Sequence, residues 1–178
     1  MYKRQDKYTY DKLEEIKLGL VRKVDVSIYD DPTFPTALMK FLRELLEKGY
    51  DAKPYANSQL TSQQIKVLSH GIYNGFDMSK YAIEEYKPAQ LREIANGLRD
   101  GLDVSRYDDY QFTSDQMKYI RKGLEDRLDV SLYANHEIDV THMRRMYNLL
   151  SAIKTAKKSA KACGYEFEYQ FKKVDGTK

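Results

Sequence analysis

Five cations recur at a fixed interval: Lys40, Lys66, Arg92, Lys118 and Arg144 stand 26 residues apart, with Glu14 at the same place one interval earlier. Of the residues three and four positions further on, which share a helix face with them, only Glu44 is acidic; the others are Arg43, Ser69, His70, Ala95, Asn96, Arg121, Lys122, Tyr147 and Asn148. If the segments carrying them stack, the column becomes a stripe of positive charge suited to a phosphate backbone or an acidic protein surface. Carboxylates from neighbouring segments would turn the same stripe into an ordinary solvated face. A second basic cluster follows in KTAKKSAK, with Lys154, Lys157, Lys158 and Lys161. These nine side chains are the candidate contacts for a polyanion or an acidic partner.

Other chemistries find less support in the residue types. An aspartate column, Asp25, Asp51, Asp77, Asp103 and Asp129, has the regularity of a metal ladder. Calcium, however, needs several oxygen ligands per ion, and each interval supplies one Asp among apolar neighbours, so helix capping is the better reading. His70, His136 and His142 share no column and no Cys lies near them in sequence, which removes zinc-site spacing. No nucleophile motif, glycine-rich phosphate loop or paired-carboxylate signature occurs. The expectation is therefore a chain with no catalytic residue, no metal ligand and no cofactor.

Composition sets the frame. The 178 residues are 42% hydrophobic and 32% charged, about one domain's length with enough apolar content for a core. Without a long apolar run or a leader-like start, the expectation is a cytoplasmic protein with no membrane span. Cys163 is the one cysteine, so no internal disulfide forms. The formal charge is +3, but residues 151–178 hold seven lysines against Glu166, Glu168 and Asp175, leaving the rest acidic by one. Net charge gives no reason to make the body a polyanion binder.

The 26-residue interval extends to almost every apolar residue before position 150. Leu13, Met39, Ile65, Leu91, Met117 and Met143 form one column; Ile16, Leu42, Leu68, Ile94, Ile120 and Met146 stand three residues on; Leu20, Leu46, Ile72, Leu98, Leu124 and Leu150 stand four beyond those. Offsets of zero, three and seven trace one face of an α-helix. Tyr8, Phe34, Leu60, Tyr86, Phe112 and Ile138 anchor each helix from five residues upstream. Thr61 with Gln64 and Thr113 with Gln116 read as capping boxes, and Pro88 suits a first helical position. Gly49, Gly75 and Gly101 fill the left-handed stop, with Lys23 and Arg127 in its place elsewhere.

Each helix is followed by an Asp and, four residues later, by Tyr29, Tyr55, Tyr81, Tyr107 or Tyr133, the pattern of a one-turn helix capped by Asp with the Tyr packed back. That phase fits core packing better than a stacking platform for bases, and makes Tyr10, Tyr73, Tyr110, Tyr119 and Tyr147 the expected exposed aromatics. Gly19, Gly71, Gly97 and Gly123 form a column inside the helices, with Leu45 as the exception. Helix-interior glycine costs about 1 kcal/mol against alanine, so its repetition predicts a close neighbour there. One helix and one turn cannot bury such a stripe alone, whereas stacked copies can.

The pattern predicts an all-α chain: an α-solenoid of about five 26-residue repeats within residues 6–163, closed by a longer capping helix over roughly 140–162. Rows such as GLRDGLDVSRY, residues 97–107, are similar to a repeat of uncharacterised bacterial proteins, some of them carried on mobile elements. The resemblance implies an architecture and no activity. The first five residues, MYKRQ, resemble the translation of a transposon mosaic-end adaptor from a GTG start and are set apart from the fold as an artefact. In residues 164–178, Tyr165, Phe167, Tyr169 and Phe171 alternate with polar residues, the period of a lone β-strand, and Asp175-Gly176 is a hairpin-turn signal. This predicts a fragment whose next domain begins there, or self-association through 165–171. The functional expectation is a non-enzymatic protein–protein interaction or scaffold module with an unknown protein partner. The alternative is a nucleic-acid-associated protein using the basic column and the Lys-rich helix.

Overall fold

The computed structural model of the chain describes residues 8–57 and 59–163. MYKRQ and the expected strand at 164–178 lie outside the described residues. Among those residues the secondary structure is wholly helical, with six α-helices: α1 Tyr10–Arg22, α2 Thr36–Glu47, α3 Ser62–Tyr73, α4 Pro88–Arg99, α5 Ser114–Glu125 and α6 Val140–Ala162. A single 3-10 turn follows each of the first five, at Val26–Ile28, Lys53–Tyr55, Ser79–Tyr81, Val104–Arg106 and Val130–Leu132. Helix, turn and loop thus recur at the interval of the apolar columns. The chain divides into two compact units, Met1–Ala95 and Asn96–Lys178, the division falling within α4. In the first, α1 packs on α2 and α2 on α3; in the second, α5 packs on α6.

Backbone chemistry explains the stops. In all five short helices the residue before the Asp donates its N–H to the carbonyl five residues back, as in Val24 to Gly19 (3.0 Å), Tyr50 to Leu45 (3.0 Å) and Leu128 to Gly123 (2.8 Å). This is the Schellman closure, which requires a left-handed residue one position earlier. Gly49, Gly75 and Gly101 supply it at φ +79°, +86° and +66°, and Lys23 and Arg127 adopt φ 60° and 51° despite the steric cost. The Asp column then caps the turn: Asp25, Asp51, Asp77, Asp103 and Asp129 each accept from the backbone N–H two residues on, at 2.9 to 3.2 Å. In four of the five that residue is a serine. Its hydroxyl also holds the Asp103 carboxyl below the usual range. Asp139 caps α6 through the N–H groups of Thr141 and His142.

Tertiary contact accounts for the glycine column. In three rows the connector tyrosine, Tyr29, Tyr107 or Tyr133, folds back over its own helix, and Tyr29 Oη donates to the Glu15 carbonyl (3.4 Å) and Tyr133 Oη to that of Tyr119 (3.3 Å). A Cβ at Gly19, Gly97 or Gly123 would lie 1.8, 1.9 or 2.0 Å from the hydroxyl of Tyr29, Tyr107 or Tyr133, and at Gly71 it would meet Met78 at 2.6 Å. The row with Leu45 in the helix has Ala52 where Val26, Met78, Val104 and Val130 stand in the others, and both are fully buried. Volume taken by the helix is given back by the connector.

The capping-box glutamines serve twice. Gln64 Oε1 accepts from the Thr61 N–H (2.8 Å), while its Nε2 donates to the carbonyls of Ile83 (3.2 Å), Glu84 (3.3 Å) and Tyr86 (2.8 Å) in the next loop. Gln116 repeats the arrangement with His136 (2.9 Å) and Ile138 (2.7 Å). At the equivalent place in α1, Lys12 Nζ reaches the Pro32 carbonyl at 2.7 Å. Gln64→Leu should therefore lower stability by about 2 kcal/mol, because the buried Tyr86 carbonyl loses its donor. Leu38 fills this column in α2, so leucine fits the site; a urea midpoint unchanged by the substitution would contradict the double role.

Candidate functional site

Each column cation sits one residue after a core-facing position near the start of its helix, which turns it outward. Lys40, Lys66 and Arg92 are exposed on α2, α3 and α4 in the first unit; Lys118 and Arg144 are exposed on α5 and α6 in the second. Lys40 lies 3.9 Å from Glu44 in a loose pair. The other four make no ion pair among the described residues. In the second unit Lys118 and Arg144 line one shallow cavity of about 230 Å³ with Tyr119, Val140, Thr141 and Asp115. Two adjacent rows thus bring their cations to one groove, with a single carboxylate on its wall.

Arg43, one turn beyond Lys40, belongs to the interior instead. It is 8% exposed, and its guanidinium holds Glu15 of α1 at 2.7 Å and Glu47 of its own helix. Arg121, likewise among the residues flanking the column, bonds Glu125 and lies 3.8 Å from Asp100. The Lys-rich stretch is also divided: Lys154 donates to the Asp126 carbonyl, while Lys157, Lys158 and Lys161 are exposed on the last turns of α6.

The connector tyrosines Tyr29, Tyr55, Tyr81, Tyr107 and Tyr133 are core residues, none more than 5% exposed. Of the expected surface aromatics, Tyr10, Tyr73 and Tyr110 are exposed, but Tyr119 and Tyr147 are half-buried. Their rings pair at 6.1 Å, and Tyr147 Oη donates to Asp126 (2.7 Å), a bond that raises the phenol's pKa. Sequence reasoning missed Tyr50, which lies 39% exposed with its ring 6.3 Å from that of Tyr73. The signal was present: the other rows carry Val24, Phe76, Leu102 and Leu128 at this column, so two adjacent rows are aromatic and three aliphatic.

An apolar face is open on α1. Leu13 and Leu20 are 43% and 60% exposed, whereas Met143 and Leu150, their counterparts in α6, are buried. Since α6 packs on the helix before it and α1 on the one after, this face is the one a helix turns to its predecessor.

No cluster of His, Cys, Asp and Glu with metal-binding geometry occurs among the described residues, and no helix there is long and apolar enough to cross a membrane. Comparison with protein-family models, with curated proteins and with solved structures finds no match to the chain.

Proposed function

We propose that this chain is a non-enzymatic interaction module, an α-solenoid of 26-residue repeats whose cation column docks an acidic face of a protein partner. The observation carrying the reading is the exposure, at one helical phase, of Lys66, Arg92, Lys118 and Arg144 without carboxylate partners among the described residues. Surface charge left unneutralised at the same place in successive repeats favours a complementary surface over internal stabilisation, because isolated solvent-facing ions add little to folding. Repeats suit the task, since stacking extends a contact surface without requiring a pocket.

The exposed lysines of α6 favour a second reading, in which the same column follows a nucleic-acid backbone. Affinity for a Glu/Asp-rich peptide and for a short duplex DNA, each measured across a series of salt concentrations, separates the two. The interaction-module reading expects the peptide to bind more tightly than the duplex at physiological salt. Tighter duplex binding, with a log–log salt slope of about −0.9 per phosphate contacted, would move the assignment to nucleic acid. Binding of neither would remove the column as a docking surface.

A further inference from the structure

We propose that the groove between the second and third connectors binds a basic side chain, a lysine ammonium or arginine guanidinium presented by a polypeptide partner. The groove encloses about 370 Å³ in the first unit, walled by Tyr50, Tyr55 and Phe76 and edged by Asp51 and Asp77, and no lysine or arginine lines it. Aromatic faces and carboxylates together hold cations, the rings through their quadrupoles and the acids through charge. Each Asp accepts from the backbone N–H of its connector, Asp51 from Lys53 and Asp77 from Ser79, whose side chain bonds Asp77 as well. Both carboxylates act on the buried Tyr55 phenol, helping to raise its pKa after burial itself, so their field converges on the groove wall.

The aromatic walls are not demanded by folding. The Schellman closure asks only for an apolar residue at this column, and three rows meet it with Val24, Leu102 and Leu128. Tyrosine and phenylalanine occur only in the two adjacent rows that form the groove. The neighbouring rings already hold one ammonium group: Lys48 Nζ lies 3.7 Å over the Tyr73 ring, which pairs with Tyr50. The aromatic surface therefore continues past the groove, wider than one side chain, which favours a polypeptide over a small free cation. The groove carries charge opposite to that of the cation column, and its occupancy does not rest on the docking role proposed for that column.

Titration of the full chain with an arginine-containing peptide, followed by aromatic proton–carbon NMR, tests the site. The expected result is saturable shifts of the Tyr50 and Phe76 rings, with the citrulline form of the peptide at least about tenfold weaker because it keeps the shape and loses the charge. Asp51→Asn with Asp77→Asn should weaken binding to a similar degree, since asparagine retains the acceptor for the connector amides. Tyr50→Leu with Phe76→Leu restores the residue of two other rows, so it should fold normally and also lose binding. Equal affinity for the citrulline peptide, indifference to the Asn pair, or unmoved Tyr50 and Phe76 rings up to about 1 mM peptide would overturn the proposal. So would spermidine binding as tightly as the peptide, which would make the ligand a free polyamine.

Discussion

One methyl group placed on Gly123 is expected to cost about 2 to 3 kcal/mol, although alanine is the better helix former by about 1 kcal/mol. The new Cβ would lie 2.0 Å from Tyr133 Oη and 2.7 Å from Val130 Cγ1. Tyr133 is fully buried, so its ring cannot swing into solvent to make room. Relief must come from shifting the connector, which also strains the bond from Tyr133 Oη to the Tyr119 carbonyl. Adding Val130→Ala, the exchange that Ala52 makes for Leu45, and Tyr133→Phe, which removes the hydroxyl nearest the new Cβ, should recover part of the loss. Urea denaturation of the single and combined variants reads this directly. A Gly123→Ala protein as stable as the parent would show the site to be open.

Alkali above about pH 10 should destabilise the protein through its buried tyrosines. Burial pushes the Tyr29 phenol up to about 12 and raises Tyr133 as well. A group whose folded pKa exceeds its unfolded value stabilises fully below the unfolded value, here about 10, and loses that contribution as pH rises through the folded one. Between about pH 10 and pH 12 the Tyr29 phenol should progressively lose that contribution, with Tyr133 adding to the loss. Tyr29→Phe and Tyr133→Phe should each start less stable at neutral pH and fall less steeply above pH 10 or so. A urea midpoint flat across this range would mean that neither phenol is shielded from water.

Local chemistry made much of the fold readable. The glycine column, the Thr61–Gln64 and Thr113–Gln116 boxes and the Asp caps all signal interactions completed within about ten residues, where sequence spacing determines geometry. Side chains whose partners lie a full repeat away were opaque. Nothing in the sequence near Arg43 tells that it turns inward to Glu15, 28 positions earlier, while Lys40 turns out. The inter-row reach of Gln64 and the pairing of Tyr119 with Tyr147 depend in the same way on contacts between rows. For the cation column, phase alone left open whether the side chains are exposed or neutralised. Whether a neighbour neutralised it could not be read, because the answer lay in which carboxylates adjacent helices present.

The most direct test of the docking role compares reversal on the column with reversal off it. Binding of a Glu/Asp-rich peptide at fixed salt should fall at least about tenfold for Lys66→Glu with Arg92→Glu, since two attractive contacts become repulsive. Lys158→Glu with Lys161→Glu, which changes net charge equally at two exposed lysines of α6, should reduce it far less. Equal losses from the two pairs would mean that the peptide senses only overall charge, and no loss from the first would contradict the column as a docking surface.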